Sequence, residues 1–407
     1  MLLTVLSRRN FALFWLGQFI SMIGDWALFI ALPVYVYELT DSALATGAMF
    51  IAGTLPRVLI SSIAGVFVDY WDRRWTMIVA DLLRAFIVLL LLLPLLVHSG
   101  GWLWLVYLAA FLESTVSEFS TPAANAIIPR LVERDQLMAA NSLSTLGDAI
   151  TRLIGPSLGG AIMGLFGLAN VIAIDAVSYI VSGIMIFFIS LPLDPVEGQI
   201  ESINRKVLIN LATLWREWLE GVRLVKERLS ITGLFAASGI MMVGQGIINV
   251  LLVIFVETLG GGALEWGWIV TAQAIGSLIG SFIVGHIGNI LRPSRLITVG
   301  IGGAGLIFLM IVNCRSLLLA VALTPIVGVL AVGYMVSVQT LLQEKVSDSY
   351  RGRIFGAYNA TKALLMLGGM GLASILGDLL GSIPVLNIAG GFFLLASMLA
   401  LLLLRGE

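Results

Sequence analysis

Side chains on which catalytic and metal sites depend are scarce in this sequence. Its only cysteine is Cys314, which excludes an intrachain disulfide, and its two histidines, His98 and His286, lie far apart. A His/Cys metal site is therefore not expected. The chain has no HExxH motif, and no lysine follows a glycine. We therefore predict no zinc peptidase site, no Walker A site for ATP and no Ser–His triad, so that the chain is not an enzyme and needs no cofactor.

Charge is scarce as well. Charged residues make up 12% of the chain and hydrophobic residues 59%, whereas about 25% of a typical soluble domain is charged. The mean hydropathy is +1.03. These values exclude an ordinary soluble domain, and the net charge of −1 says nothing about partners.

Long apolar runs are what the sequence has in abundance. A membrane-spanning helix needs about twenty residues. Strand-like alternation is absent over such lengths, so helices rather than a barrel satisfy the backbone in lipid. The first run is too long for a signal-peptide core and is expected to be retained. We predict an all-α integral membrane protein with twelve transmembrane helices, at approximately 11–37, 44–68, 75–97, 102–126, 137–165, 169–191, 229–257, 265–287, 294–313, 316–342, 352–380 and 382–405.

The basic residues predict the topology independently. If the amino terminus is cytoplasmic and the loops alternate, the loop lysines and arginines fall on the cytoplasmic side, apart from Arg315. The remaining basic residues lie within helices: Arg57, Arg84, Arg152 and Lys362. This bias predicts that both termini are cytoplasmic.

The longest polar interruption separates two halves of similar length. We predict an N-terminal bundle at 1–191, a cytoplasmic linker at 192–228 and a C-terminal bundle at 229–407, with six helices in each bundle. Within the linker, apolar residues recur at three- and four-residue steps from Leu208 to Val225. This pattern indicates an amphipathic helix, which either lies along the membrane surface or serves as a tether.

Several ionisable residues lie deep in the first six helices. Helix rise places Asp25, Arg57, Glu113 and Asp148 near the bilayer midplane. A charge at that depth costs at least about 2.5–3.5 kcal/mol, so such residues usually face a protein interior or an aqueous cavity. We predict that they form a cluster.

Three carboxylates of this half are candidates for proton coupling. Asp25 and Glu113 have no opposite charge within a helical turn. An unpaired carboxyl in a partly dry cavity exchanges protons, which coupling to a proton gradient requires. Asp148 lies four residues before Arg152, which predicts either an ion pair that holds packing or a further proton carrier. A second spaced pair, Asp81 with Arg84, is interpreted as structural.

The residues predicted to contact a substrate are polar or aromatic and lie inside helices. Trp26 either offers a stacking surface for the substrate or packs the core. Lys362 either interacts with the charges of the first half or extends its ammonium group to the membrane interface. The full set is Trp26, Arg57, Glu118, Arg152, Gln245, Asn249 and Lys362.

The fifth predicted helix has a small-residue face. Gly155 and Gly159 are spaced so that a neighbouring helix can approach closely, Gly160 adds to this face, and Pro156 bends the helix. Such a helix suits either a seam between moving bundles or simple tight packing.

These segments resemble the major facilitator superfamily. The GPxxGG core at 155–160 resembles the antiporter motif of drug:proton antiporters, and GVFVDYWDRR at 65–74 resembles the superfamily signature between helices two and three. Asp25 followed by Ala31-Leu32-Pro33 is similar to the helix-one motif of drug exporters. LTDSALATG at 39–47, TPAANAIIPRLV at 121–132 and YRGRIFGAYN at 350–359 resemble the branch of macrolide, tetracycline and siderophore exporters.

The resemblance implies a fold and a function. The fold is two six-helix bundles, each with inverted three-helix repeats, around a midplane cavity. The function is proton-coupled export of a hydrophobic or amphipathic small molecule across the bacterial inner membrane. A symporter that imports a polar solute, and a lipid transporter, remain alternatives on the same fold. The expected partners are a small-molecule substrate, protons and the lipid bilayer, with no nucleic acid, and the chain is expected to act as a monomer.

The resemblance also implies a gate at the 65–74 segment. Asp69, one turn after Gly65, would contact the amino-terminal turn of helix eleven near Arg353. Asp72, Arg73 and Arg74 complete this gating segment. The signature usually has a basic residue where Tyr70 stands, and glycine where Asp72 stands.

Overall fold

Helices are the only long regular elements in the described part of the chain. The computed structural model describes residues 2–97, 100–190, 229–287, 291–346 and 348–404. Short helical segments occur at Leu2–Leu6, Leu92–Val97, Gly100–Trp102 and Arg134–Gln136. Twelve long helices occur in these described ranges: α1 Arg9–Thr40, α2 Ala43–Tyr70, α3 Arg73–Leu90, α4 Leu103–Leu131, α5 Leu137–Phe166, α6 Leu168–Phe187, α7 Leu229–Thr258, α8 Ala263–Ile287, α9 Pro293–Cys314, α10 Leu317–Lys345, α11 Asp348–Leu380 and α12 Ser382–Leu403.

These helices agree with the predicted all-α membrane fold. Among the described residues, 11 spans are long and apolar enough to cross a membrane. The long helix outside that count is α4, which carries Glu113 and Glu118. The third helix departs from the prediction, because its long run ends at Leu90 and a separate short helix follows at Leu92–Val97.

Contacts divide the chain into two compact units. The first unit comprises Met1–Thr40 and Ala52–Asn210, and the second comprises Asp41–Ile51 and Leu211–Glu407. The first turns of α2 therefore belong to the second unit. There the Asp378 carboxylate accepts hydrogen bonds from the backbone N–H of Ala43 (2.6 Å) and from the Ser42 hydroxyl (2.9 Å), which caps the helix. The predicted linker at 192–228 lies outside the described residues.

Four helix packings recur in both units. In the first unit, α1 packs on α5 and α6, while α3 packs on α4 and α6. In the second unit, α7 packs on α11 and α12, while α9 packs on α10 and α12. Gly167 before α6 and Gly381 before α12 both have positive φ (79° and 82°), which a glycine adopts without steric cost. In the first unit these packings bring residues of α1, α3, α4 and α6 together.

Candidate functional site

The centre of the first unit is the buried guanidinium of Arg84 on α3. Its Nη2 lies 3.0 Å from Asp25 Oδ1 on α1. Its Nε and Nη2 lie 2.8 Å and 2.5 Å from Glu113 Oε1 on α4. The Arg84 side chain is 8% exposed, whereas Asp25 and Glu113 keep 35% and 25% of their side-chain surface exposed. Two carboxylates therefore share one buried cation and remain partly accessible.

Tyr179 on α6 completes this charge cluster. Its hydroxyl donates to the Asp25 carboxylate and lies 3.3 Å from Glu113 Oε1. Its ring lies beneath the guanidinium, with Arg84 Cζ 4.3 Å from the ring centroid. This geometry adds a cation–π contact to the two ion pairs. We call Arg84, Asp25, Glu113 and Tyr179 the charge cluster.

The structure corrects the predicted pairing of these residues. The spacing along the chain predicts that Arg84 pairs with Asp81 and that Asp25 has no counter-charge, but Arg84 pairs with Asp25 and Glu113. Spacing along α3 cannot report which helices lie opposite its buried face. Asp81 is also buried, at 1% exposure. The available signal was the register of α3, because buried residues recur at three- and four-residue steps along it, at Met77, Asp81, Arg84 and Val88.

Asp175 is a further buried acid that sequence reasoning assigned no role. It lies on α6, four residues before Tyr179, and is fully buried. Neither carboxylate oxygen has a hydrogen-bond partner among the described residues. Gly24, the neighbour of Asp25, makes room for it, since a Cβ at Gly24 would overlap Asp175 Oδ1. The sequence feature that could have identified Asp175 is its position four residues before Tyr179, which places both side chains on one face of α6.

Other predicted site residues lie apart from the charge cluster. Arg57 Nε lies 3.6 Å from Glu118 Oε1, with Arg57 76% exposed and Glu118 16% exposed. Asp148 and Arg152 on α5 are both exposed and form no ion pair with each other in the described structure. The predicted cluster of four is therefore only partly formed among the described residues: Asp25 and Glu113 meet at Arg84, whereas Arg57 and Asp148 form no ion pair with this group. An exposed acid and an exposed base within a membrane helix are expected to face water, because contact of a charge with hydrocarbon is costly.

The glycine motif of α5 positions the helix that carries Asp25. A Cβ at Gly155 would lie 2.6 Å from the Trp26 Cβ, and one at Gly159 would overlap the Ala27 backbone. Pro156 and Gly160 are also buried. Trp26, half-buried, contacts Phe29 edge-to-face at 5.5 Å between ring centroids. The motif thus lets α5 and α1 touch beside Asp25.

The 65–74 segment contains two helix-end contacts. Asp72 is the N-cap of α3, where its Oδ1 accepts a hydrogen bond from Trp75 N at 2.8 Å. The Arg74 guanidinium donates to the carbonyls of Ile186 (3.2 Å) and Phe187 at the end of α6. No described atom lies within 4 Å of a Cβ built at Gly65. Arg73 is half-buried, and the side chains of Asp69 and Arg353 lie outside the described part of the chain.

The second unit presents neutral polar groups. Gln245 donates to Asn249 on the same face of α7 at 2.9 Å. Tyr358 on α11 donates to Ser238 at 2.8 Å and lies 2.9 Å from the Tyr334 hydroxyl.

Lys362 on α11 adds a positive charge beside these neutral polar groups. Its Nζ lies 4.8 Å from the Tyr358 ring centroid, and it forms no ion pair among the described residues. The same described residues contain no group of three or more His, Cys, Asp or Glu side chains suited to a metal ion.

Comparison with known proteins decides the family. A family model described as transmembrane secretion effector, one of the MFS models, matches residues 2–405. The chain belongs to this transporter family. The predicted resemblance to the major facilitator superfamily, and to its branch of macrolide and siderophore exporters, is therefore confirmed.

Relatives of this transporter family are similar over most of their length. Macrolide efflux protein A of Streptococcus pyogenes is 27% identical over 378 residues, which cover 92% of this chain and 91% of the relative. The enterobactin exporter EntS of Escherichia coli O1:K1 / APEC is 23% identical over 397 residues, covering 96% and 90%. The chain is therefore a multi-pass membrane transporter.

Solved structures support the fold. A bacterial homologue of the iron transporter ferroportin, in an inward-facing state, superposes with a TM-score of 0.74 at 15% identity, covering 97% of this chain and 98% of that one. The nucleoside transporter NupG superposes with a TM-score of 0.75 at 13% identity, covering 98% and 100%. At these identities the likeness concerns the fold alone.

Proposed function

We propose that this transporter exports a hydrophobic or amphipathic small molecule, macrolide-like or siderophore-like, in exchange for protons. It would do so by alternating access in the bacterial cytoplasmic membrane. The observation that carries the proposal is the charge cluster, in which two partly accessible carboxylates share one buried guanidinium. The names of the efflux relatives support the direction and the substrate class.

Charge balance explains how the cluster would couple protons to transport. One guanidinium balances one carboxylate, so Asp25 and Glu113 are both neutralised only when one of them carries a proton. Uncompensated charge is costly in a low-dielectric interior. A proton that binds one acid therefore lets Arg84 pair more closely with the other acid, and release of that proton restores the competition between the two acids, which changes the forces between α1, α3 and α4. That change is the coupling step, and Asp25 is its main proton carrier.

The substrate would be handled by less charged groups. The exposed polar residues of α5, including Asp148 and Arg152, offer a wet surface in the first unit. Gln245, Asn249 and Lys362 offer hydrogen bonds in the second unit. Glu118, Arg57 and Trp26 remain candidates for the substrate route.

Transport by inside-out membrane vesicles tests this function. Cells that express the chain are first screened with macrolides, tetracyclines, dyes and siderophores for the compound they exclude best. We expect inside-out vesicles with an acidic lumen to accumulate that compound. Accumulation in right-side-out vesicles that is driven by an acidic exterior would contradict export and favour an importing symporter. Transport that is indifferent to the gradient would favour a passive lipid transporter.

The Asp25→Asn variant tests the coupling residue in the same vesicles. The amide keeps the shape of the side chain but carries no exchangeable proton, so we expect gradient-driven accumulation to be lost while downhill exchange persists. Asp135→Asn is the matched control, since Asp135 is exposed in the short segment Arg134–Gln136 and lies outside both the charge cluster and the proposed substrate surfaces. Undiminished gradient-driven accumulation by Asp25→Asn would contradict the role of Asp25.

A further inference from the structure

The second unit contains a partly open cavity of about 140 Å³ that is lined by α7, α8, α9, α10 and α12. Its walls are aliphatic and aromatic, and most are buried, including Trp266 at 5%, Phe308 at 6% and Phe393 at 6% exposure. None of the described residues that line it is an aspartate, glutamate, lysine, arginine or histidine. A charged group would therefore enter this cavity without a counter-charge, at a high desolvation cost.

Three carboxamide side chains, Gln245, Asn249 and Gln273, line this space together with the hydroxyl groups of Thr324 and Tyr334. Gln245 donates one amide N–H to Asn249, at 2.9 Å, so that its own carbonyl oxygen is available to a ligand. Gln273 on α8 uses its backbone carbonyl to accept from the Ser277 hydroxyl at 3.0 Å. Its side-chain amide forms no hydrogen bond within the described residues and is half-buried. Gln273 therefore presents a free donor and a free acceptor.

The backbone beneath Gln273 is held by close helix packing. A Cβ at Gly328 on α10 would overlap the Gln273 carbonyl, and one at Gly276 would overlap the Pro325 carbonyl. The backbones of α8 and α10 thus touch at this residue and in the turn that follows it. A polar side chain on a rigid helix pair offers its hydrogen bonds at a defined place, as recognition requires.

We propose that this cavity binds an uncharged, ring-sized part of the transported molecule, and that Gln273 hydrogen-bonds to an oxygen of that ring. The volume is close to that of an engineered cavity of about 150 Å³ that binds benzene. The inference rests on the proposed function for the identity of the ligand, and it deepens that function by naming the chemistry of one part of the substrate. The charge cluster of the first unit exchanges protons, and this cavity binds a neutral ring of the substrate.

Binding of two matched probes tests the cavity. Cyclohexanone carries the ring and an acceptor oxygen, whereas methylenecyclohexane has the same shape without the acceptor. Each is equilibrated with purified protein in nanodiscs, and headspace chromatography measures the bound fraction after subtraction of empty nanodiscs. We expect saturable binding of both, with cyclohexanone about fivefold weaker in Gln273→Leu than in the wild type, the factor that one hydrogen bond corresponds to. Binding of methylenecyclohexane should be unchanged by that substitution.

Two further variants separate this effect from general disturbance. Gln339→Leu is the matched control, because Gln339 is exposed on α10 and does not line the cavity; it should change neither affinity. Ala304→Leu fills the space beside Ile301 and Phe308 and should abolish saturable binding of both probes. If that variant does not fold, Ala331→Leu, also in the lining, takes its place.

Either of two results would overturn the proposal. One is the absence of saturable ring binding to the wild type, which would mean that the cavity holds water only. The other is cyclohexanone binding that Gln273→Leu leaves unchanged. The assay needs no proton gradient, so a chain that binds the probes but fails in vesicles overturns only the proposed export function. A chain that exports but binds no probe overturns only the cavity.

Discussion

At the scale of residues, the charge cluster depends on one guanidinium. Arg84 is 8% exposed and touches acids from two other helices. Removal of one partner from a buried ion pair leaves an uncompensated charge, which is costlier than the pair is stabilising. Arg84 is therefore a structural residue of the first unit and a participant in the proposed proton exchange.

Substitution of Arg84 tests this dependence. We expect Arg84→Leu to lower the free energy of unfolding by about 3 kcal/mol, at the lower end of the usual range because Asp25 and Glu113 keep 35% and 25% of their surface exposed. Adding Glu113→Gln should recover part of the loss, because it removes one unbalanced carboxylate. Denaturant titration in micelles measures both. Arg57→Leu is the control, since that guanidinium is 76% exposed and its loss should cost under about 0.5 kcal/mol. Equal losses for Arg84→Leu and Arg57→Leu would refute the assignment.

At the scale of elements, the packing of α5 against α1 positions the segment that carries Asp25. Its glycine face packs on α1 at Trp26 and Ala27, directly after Asp25. Another part of its surface carries the exposed Asp148 and Arg152. Any shift of α5 against α1 therefore displaces a member of the charge cluster.

A side chain at Gly159 should force such a shift. Gly159→Val places atoms on the Ala27 backbone, which cannot move aside like a side chain, so we expect a loss of at least about 1–3 kcal/mol in the free energy of unfolding. Export should fall with it. Gly53→Val is the control in the same unit, because no described atom lies within 4 Å of a Cβ there. The same change there then alters the free energy of unfolding only by the difference in helix propensity, which favours valine over glycine. Similar stabilities of the two variants would show that α5 and α1 are not tightly packed.

At the scale of the whole molecule, the predicted orientation in the membrane stays open to a direct test. The positive-inside bias of the loops places both termini in the cytoplasm and the loop after α9 on the opposite side. Cys314 is the last residue of α9, is exposed, and is the only cysteine in the chain. The wild-type protein therefore carries its own topology probe.

Labelling of Cys314 with a membrane-impermeant maleimide tests the orientation. We expect rapid modification in right-side-out vesicles and none in sealed inside-out vesicles, because the thiol should face the outer side. Mass spectrometry of the intact chain gives the extent of labelling, with Cys314→Ser as the unlabelled reference. Modification confined to inside-out vesicles would reverse the topology assigned here.

Much of the fold and part of the site follow from the sequence. The apolar run lengths predict the helices, and Asp25 and Glu113 are recognisable as deep carboxylates because a charge in a long apolar run has few structural explanations. The prediction for Arg84 is wrong because spacing along α3 favours the nearby Asp81, whereas its partners Asp25 and Glu113 lie on other helices. Asp72 was assigned to a gate, although its carboxylate caps α3.

The sequence alone determined the number of the long helices and most of their extents, because a span of the bilayer needs about twenty apolar residues whose backbone groups are satisfied within the helix. It also determined that Asp25 and Glu113 lie within long apolar runs and which face of α5 is small. Only the tertiary structure decided that Arg84 joins Asp25, Glu113 and Tyr179, that Asp148 stays apart, and that Gln273 lines a neutral cavity. The physical reason is that spacing along one helix specifies which residues share its face. The side chain opposite that face belongs to another helix, and the packing of the helices selects it.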